Sequence, residues 1–130
     1  MGWTALTASS SDERHPVSAV TAVGPSFWMT TGLFPQTFVL GTDGKTAVRV
    51  RSLTLSTRDV RQLTVETSME DRPTGWQHVH QTTEGEEFRP TEGVEQRETI
   101  TVNRDARYIK VTIDAGHGAF SSVSQCEVEN

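Results

Sequence analysis

Cysteine is nearly absent from this 130-residue chain: Cys126 stands alone, so no internal disulfide can form and the fold must be held by buried apolar surface. No apolar run approaches the roughly 20 residues that a membrane-spanning helix needs, which excludes membrane insertion through such a helix. Lysine is scarce too, since ten of the twelve basic residues are Arg, and the formal charge is −5. An acidic balance disfavours a phosphate-backbone partner, which wants a basic stripe, so no nucleic acid is expected. The start has neither a charged n-region nor an apolar h-region, so the chain reads as soluble and intracellular. Met1-Gly2 resembles an acylation start, but Leu6 stands where Ser or Thr is required. Sustained helical periodicity is missing as well, which excludes a bundle.

What the chain does have is a bent, aromatic-rich stretch from Ser11 to Phe38. It holds three of the five prolines (Pro16, Pro25 and Pro35) and four of the nine aromatic residues (Phe27, Trp28, Phe34 and Phe38). Proline there breaks regular structure, and each aromatic removes on the order of 150 Å² from water. The segment is expected to be a structured loop pinned to the body, carrying its polar residues in fixed positions.

The remainder alternates at strand period. Trp3, Ala5 and Thr7 alternate with Thr4, Leu6 and Ala8, and Thr37 to Leu40 is a strand ended by a turn at Gly41-Thr42-Asp43-Gly44. From Ala47 to Thr57 the inward residues shift from Val48 and Val50 to Leu53 and Leu55, which predicts a bulge with an extra residue at Arg51-Ser52. Val60 to Thr67 turns Leu63 and Val65 inward, Met69 to Gly75 turns the chain, and Trp76 to Thr83 is a further strand. Glu-rich Thr82 to Glu98 reads as a solvated loop. Thr99 to Asn103 and Arg107 to Asp114 alternate cleanly about a short turn at Asn103-Arg104-Asp105-Ala106. Ala119 to Glu129 then closes the chain with Phe120, Ser122, Ser124, Cys126 and Val128 on one face. These elements predict one all-β domain over residues 1–130, a sandwich of about eight antiparallel strands.

No catalytic constellation accompanies this pattern, so the chain is read as no enzyme. Cys126 falls at an inward strand position and reads as a small buried apolar residue. His78 and His80, two apart on a strand, would share a face at zinc-ligand spacing, but no Cys or carboxylate partner stands at ligand spacing, which leaves two exposed polar residues. His15 and His117 read as loop residues. Gly116-His117-Gly118 is too short for a phosphate cradle, which would open a helix after a strand.

Several islands taken in order are specific: Ser11-Asp12-Glu13-Arg14-His15-Pro16, Phe27-Trp28, Thr30-Thr31-Gly32-Leu33-Phe34-Pro35-Gln36 and Gly116-His117-Gly118-Ala119-Phe120. On these the chain resembles the intraflagellar transport protein 25 family, also called heat shock protein beta-11, from about Ala8 to Val128. The resemblance implies a jelly-roll sandwich of the galactose-binding-domain (discoidin-like) type. It further implies a non-enzymatic subunit of intraflagellar transport complex B in the cilium or flagellum and cytoplasm, paired with a Rab-like small GTPase, intraflagellar transport protein 27, and contacting other complex B subunits. The partner-facing residues would then be Thr30, Thr31, Gly32, Leu33, Phe34 and Gln36 of the loop, with strand-edge Arg49, Arg51, Arg58 and Arg61. A competing reading is a carbohydrate- or lipid-headgroup-binding module in which Trp28 and Phe34 stack on a ring.

Members of the family often bind calcium between the His-Pro and Phe-Trp pairs. Here Val17 to Ser26 contains no Asp or Glu. Ser18, Thr21 and Ser26 offer neutral oxygens alone, whereas calcium wants six to eight oxygens with negative charge among them. These would make at best a weak site, so calcium is expected to be absent or loosely held, and no other cofactor is expected. Calorimetric titration with calcium chloride should show no micromolar binding.

Overall fold

The computed structural model describes residues 3–8, 28–29, 35–42, 46–58, 60–82, 96–116 and 122–129. Its strands are β1 (Trp3–Ala8), β2 (Trp28–Met29), β3 (Gln36–Thr42), β4 (Val48–Arg58), β5 (Val60–Ser68), β6 (Gln77–Gln81), β7 (Gln96–Ala106), β8 (Tyr108–Gly116) and β9 (Ser122–Glu129). They form a five-stranded sheet in the order β1-β3-β8-β5-β6 and a four-stranded sheet in the order β2-β9-β4-β7. All pairings are antiparallel. Consecutive strands change sheet at every step except from β5 to β6, the alternation of a jelly roll.

Alternation explains where the core sits. Phe38 and Leu40 on β3, Leu63 and Val65 on β5, and Ile109, Val111 and Ile113 on β8 face Val50, Leu53 and Leu55 on β4, Ile100 and Val102 on β7, and Val123 and Cys126 on β9. Each such aliphatic or aromatic side chain contributes about 1.5–3 kcal/mol by leaving water.

Several strands keep their apolar residues inward only by irregularity. The predicted break in β4 is present, because the β4–β7 register shifts between Val50 and Ser52. The extra residue, however, lies on β7, where Thr101 to Arg104 spans three steps against two from Val50 to Ser52, and Asn103 there has φ 48°. In β1 the register shifts between Ala5 and Thr7. That corrects the simple alternation: Trp3, Ala5 and Ala8 all pack on the core, while Leu6 is 48% exposed. A shift in β9 opposite Ser56 and Thr57 likewise brings Val123 inward beside Cys126, where even positions alone were expected.

Three boundaries also differ from expectation. β3 continues through Gly41 and Thr42, both buried, since Gly41 is paired on both sides with Thr4 and Tyr108. β7 begins at Gln96, inside the expected acidic loop. The segment Asn103 to Ala106 is no turn. It finishes β7, and the chain passes to the opposite sheet at Arg107, whose N–H donates to Ser68 O (2.8 Å) and whose carbonyl accepts from Thr42 N (3.1 Å). Both backbone groups of Arg107 are thereby satisfied within the five-stranded sheet, which fixes the crossing.

The turn between β5 and β6 is as expected, with Gly75 at φ 64°. β6 and β7 end their respective sheets. Arg104 Nη1 of β7 donates to the carbonyl of His78 on β6 (3.3 Å), bridging the two sheet ends. Most of the bent stretch from Ser11 to Phe38, the centre of the acidic run and Gly118 to Phe120 lie outside the described residues.

Leu53 is fully buried at the centre of this core. Leu53→Ala should cost about 3 kcal/mol, seen as a lower urea midpoint at unchanged slope.

Candidate functional site

Among the described residues no group of three or more His, Cys, Asp or Glu is placed to hold a metal ion. His78 is exposed and His80 half-buried on β6, and the β5–β6 register shifts between their partners Glu66 and Val65. Cys126 is 5% exposed and pairs with Leu55. Burial raises its thiol far above the ordinary range, and neighbouring Glu127 adds to the rise. A thiol held protonated is no nucleophile. The two outer faces of the sandwich carry different side chains.

The residues expected to meet a partner do not form one patch. Thr30, Thr31, Gly32, Leu33 and Phe34 lie outside the described residues, as do the calcium candidates Ser18, Thr21 and Ser26. Gln36 opens β3 on the side shared by Phe38 and Leu40 and is 7% exposed, so it faces the sandwich interior. All four arginines are exposed. Arg49 and Arg51 stand near one end of β4 and Arg58 at the other, roughly 23 Å beyond Arg51 at strand rise, while Arg61 belongs to the other sheet.

The outer face of the four-stranded sheet is a lattice of mutually occupied polar groups. Arg97 meets Glu127 at 2.9 Å, Arg51 meets Glu129 at 3.8 Å and Arg49 meets Asp105 at 3.9 Å. Between them Thr54 and Thr99 share a hydrogen bond at 3.0 Å, and Ser52 Oγ donates to Glu129 Oε2 at 3.2 Å. Exposed pairs of this kind contribute roughly 0–1 kcal/mol each, but they leave the face well solvated.

The outer face of the five-stranded sheet carries polar pairs as well, with Thr64 Oγ1 donating to Asp114 Oδ2 at 2.6 Å. One row across it runs Ser68, Tyr108, Gly41 and Thr4; the next runs Glu66, Lys110, Val39 and Thr7. Lys110 Nζ sits 4.9 Å from the centre of the Trp76 ring and 3.2 Å from Glu66, with both charged side chains only 24% exposed. The two exposed large apolar side chains among the described residues belong to this end of the sheet. Leu6 (48%) leans over Gly41, and Met69 (49%) follows the residue paired with Tyr108.

Leu6, Gly41, Thr42, Arg107 and Tyr108 line a pocket of about 90 Å³. A Cβ at Gly41 would stand 2.7 Å from Leu6 Cδ1, so glycine is needed for the two strands to seat Leu6 here. Asp71 fixes the walls: its carbonyl accepts from Tyr108 Oη (3.0 Å) and its carboxylate from Arg107 Nη1 (2.9 Å). Leu6 and Gly41 were not among the expected site residues. Their signal was a Leu on the outward side of an alternating strand.

The thiol gives a direct check on this picture. Cys126 should resist an aromatic disulfide reagent in the native protein and react at once in urea. Because the folded thiol titrates above the unfolded value of about 8.5, its contribution to stability is whole below that pH and falls as pH rises past it.

No family model matches the chain. It is 34% identical to intraflagellar transport protein 25 of Chlamydomonas reinhardtii over 98% of its own length and 65% of that protein, so it spans about two thirds of that relative. The intraflagellar transport protein 25 homologs of Homo sapiens and Mus musculus are each 32% identical, over 95% and 98% of this chain and 83% and 87% of theirs. Among solved structures, a family 32 carbohydrate-binding module of C. perfringens NanJ in complex with galactose superposes at TM-score 0.77 and 18% identity, covering 97% of this chain and 92% of that one. A chitosan-binding module from a Paenibacillus sp. IK-5 chitosanase/glucanase gives 0.80 at 23% identity, covering 98% and 94%. Those likenesses are of fold, and they agree with the galactose-binding-like jelly roll implied by the sequence. The near full-length similarity to three proteins of one name settles the family: the chain belongs to the intraflagellar transport protein 25 family.

Proposed function

We propose that this chain is a non-enzymatic subunit of intraflagellar transport complex B, working in the cilium or flagellum and cytoplasm as half of a heterodimer with a Rab-like small GTPase, intraflagellar transport protein 27. Its family supports the transport role. The observation that carries the docking role is that the two exposed large apolar side chains among the described residues, Leu6 and Met69, both lie toward the Tyr108 end of the five-stranded sheet, with Leu6 lining a pocket there. Exposed apolar side chains gathered at one place mark a surface meant to be covered.

Size is consistent with that use. Five strands about 4.8 Å apart, of five to nine residues rising about 3.3 Å each, offer on the order of 600 Å². A standard interface buries about 800 Å² per partner. The GTPase therefore docks on the five-stranded sheet, and the opposite face is left for solvent or for other complex B subunits.

The carbohydrate reading draws on the fold likeness to galactose- and chitosan-binding modules. Trp28 and Phe34, on which ring stacking was expected to rest, have side chains outside the described residues, and the protein-docking reading rests instead on the family. Co-expression with the GTPase should yield a 1:1 complex on size-exclusion chromatography, while glycan arrays and anionic liposomes retain nothing. Retention on a glycan with no GTPase recovered would reverse the preference.

A further inference from the structure

We infer that β6 is a strap, pinned at both ends and latched at its middle by Arg104, which opens locally and uncovers the backbone edge of β5 while the rest of the sandwich stays folded. This device belongs to the flank between β6 and β7, and it does not depend on which broad face a partner covers.

Three features single out this strand. β6 ends the five-stranded sheet and is bonded on one side alone, to β5. None of its residues from Gln77 to Gln81 is buried, whereas β5 beside it buries Val60, Leu63, Val65, Thr67 and Ser68. The ladder between them is also interrupted at its centre. His80 pairs with Val65 and His78 with Glu66, the next residue along, so Val79 is an extra residue with no opposite number. Segments held by a short ladder and little apolar burial are those that open at low free energy, independently of global unfolding.

What holds the strap is placed accordingly. At its far end Thr82 N donates to Leu63 O (2.9 Å), and Thr82 Oγ1 accepts from Leu63 N (3.2 Å). At its near end Ser68 Oγ donates to Thr74 O (2.5 Å), and Gly75 turns the chain with φ 64°. Between these pins, Arg104 Nη1 reaches across from the other sheet to the carbonyl of His78 (3.3 Å), beside the unpaired Val79 where the ladder is weakest. Val79 is the sole apolar residue of β6, and it is half-buried against the core. Opening therefore moves one modest apolar side chain and returns one carbonyl to water. It leaves the N–H and C=O groups on that side of β5 without partners, an edge able to accept an added strand. Arg104, by keeping the strap shut, keeps that edge hidden.

The test is residue-resolved amide hydrogen exchange on the full chain, comparing the wild type with Arg104→Ala and with Arg97→Ala, which removes a different exposed Arg of β7. Once corrected for intrinsic rates, the wild-type β6 amides bonded to β5 should exchange at least about 100-fold faster than those of central β8. Low urea should leave the β6 rates unchanged and raise those of β8, because a local opening exposes little surface. Arg104→Ala should speed β6 about fivefold more, the effect of one hydrogen bond in a partly solvated place, and leave β8 within about twofold. Arg97→Ala should move neither. Wild-type β6 amides that exchange no faster than those of β8, or that follow urea as β8 does, overturn the strap whatever the variants do. Equal acceleration of β6 and β8 by Arg104→Ala overturns the latch, since the side chain would then stabilise the whole molecule.

Discussion

Two sheets stacked on one another can share a dry interior only if every strand keeps its apolar side chains on one side for its whole length. Strand geometry alternates strictly, and this chain does not. β4 carries Val50 and Leu53 an odd number of residues apart, β1 carries Ala5 and Ala8, and β9 carries Val123 and Cys126, yet all six lie in or against the core. Register shifts at those places reconcile sequence and geometry. In β1 the shift turns Ala8 inward, while Leu6, next to inward Ala5, is outward by alternation and lies over Gly41.

The crossing at Arg107 links interior and surface in another way. β7 and β8 follow one another in the chain with a single residue between them but belong to opposite sheets. The backbone of Arg107 bonds to Ser68 and Thr42, while its guanidinium reaches Asp71 in the turn after β5. One residue therefore joins three segments and ends beside Tyr108. A chain that instead folded β7 and β8 as a hairpin would leave the four-stranded sheet without its end strand.

Much of this was legible from residues alone. Clean alternation in Ile109-x-Val111-x-Ile113 and Leu63-x-Val65 located two central strands, and the parity change between Val50 and Leu53 located an irregularity that the structure contains. What failed had a common physical cause. Alternation reports which face a residue takes but not which sheet its strand joins, so Asn103-Arg104-Asp105-Ala106 looked like a hairpin turn when its residues finish a strand. Composition misled in the same region: the polar residues Gln96, Arg97 and Glu98 suggested loop, but an end strand with one face in water accommodates them. At the candidate site, exposed arginines drew attention because they are charged, whereas the features that distinguish one face were a solitary outward Leu and a glycine without a side chain. Neither has meaning until β1, β3 and β8 are laid side by side.

The hydrogen bond from Arg104 to the His78 carbonyl bears on how this molecule can be joined to others. Terminal strands of a sheet invite a foreign segment to zip on and continue the ladder, a route of both peptide capture and aggregation. Here a long cationic side chain from one layer occupies an acceptor of the other layer's last strand, and the left-handed backbone at Asn103 bends the neighbouring border. Growth by adding strands along that flank is thus obstructed, and assembly is steered toward contacts made by side chains on the broad faces.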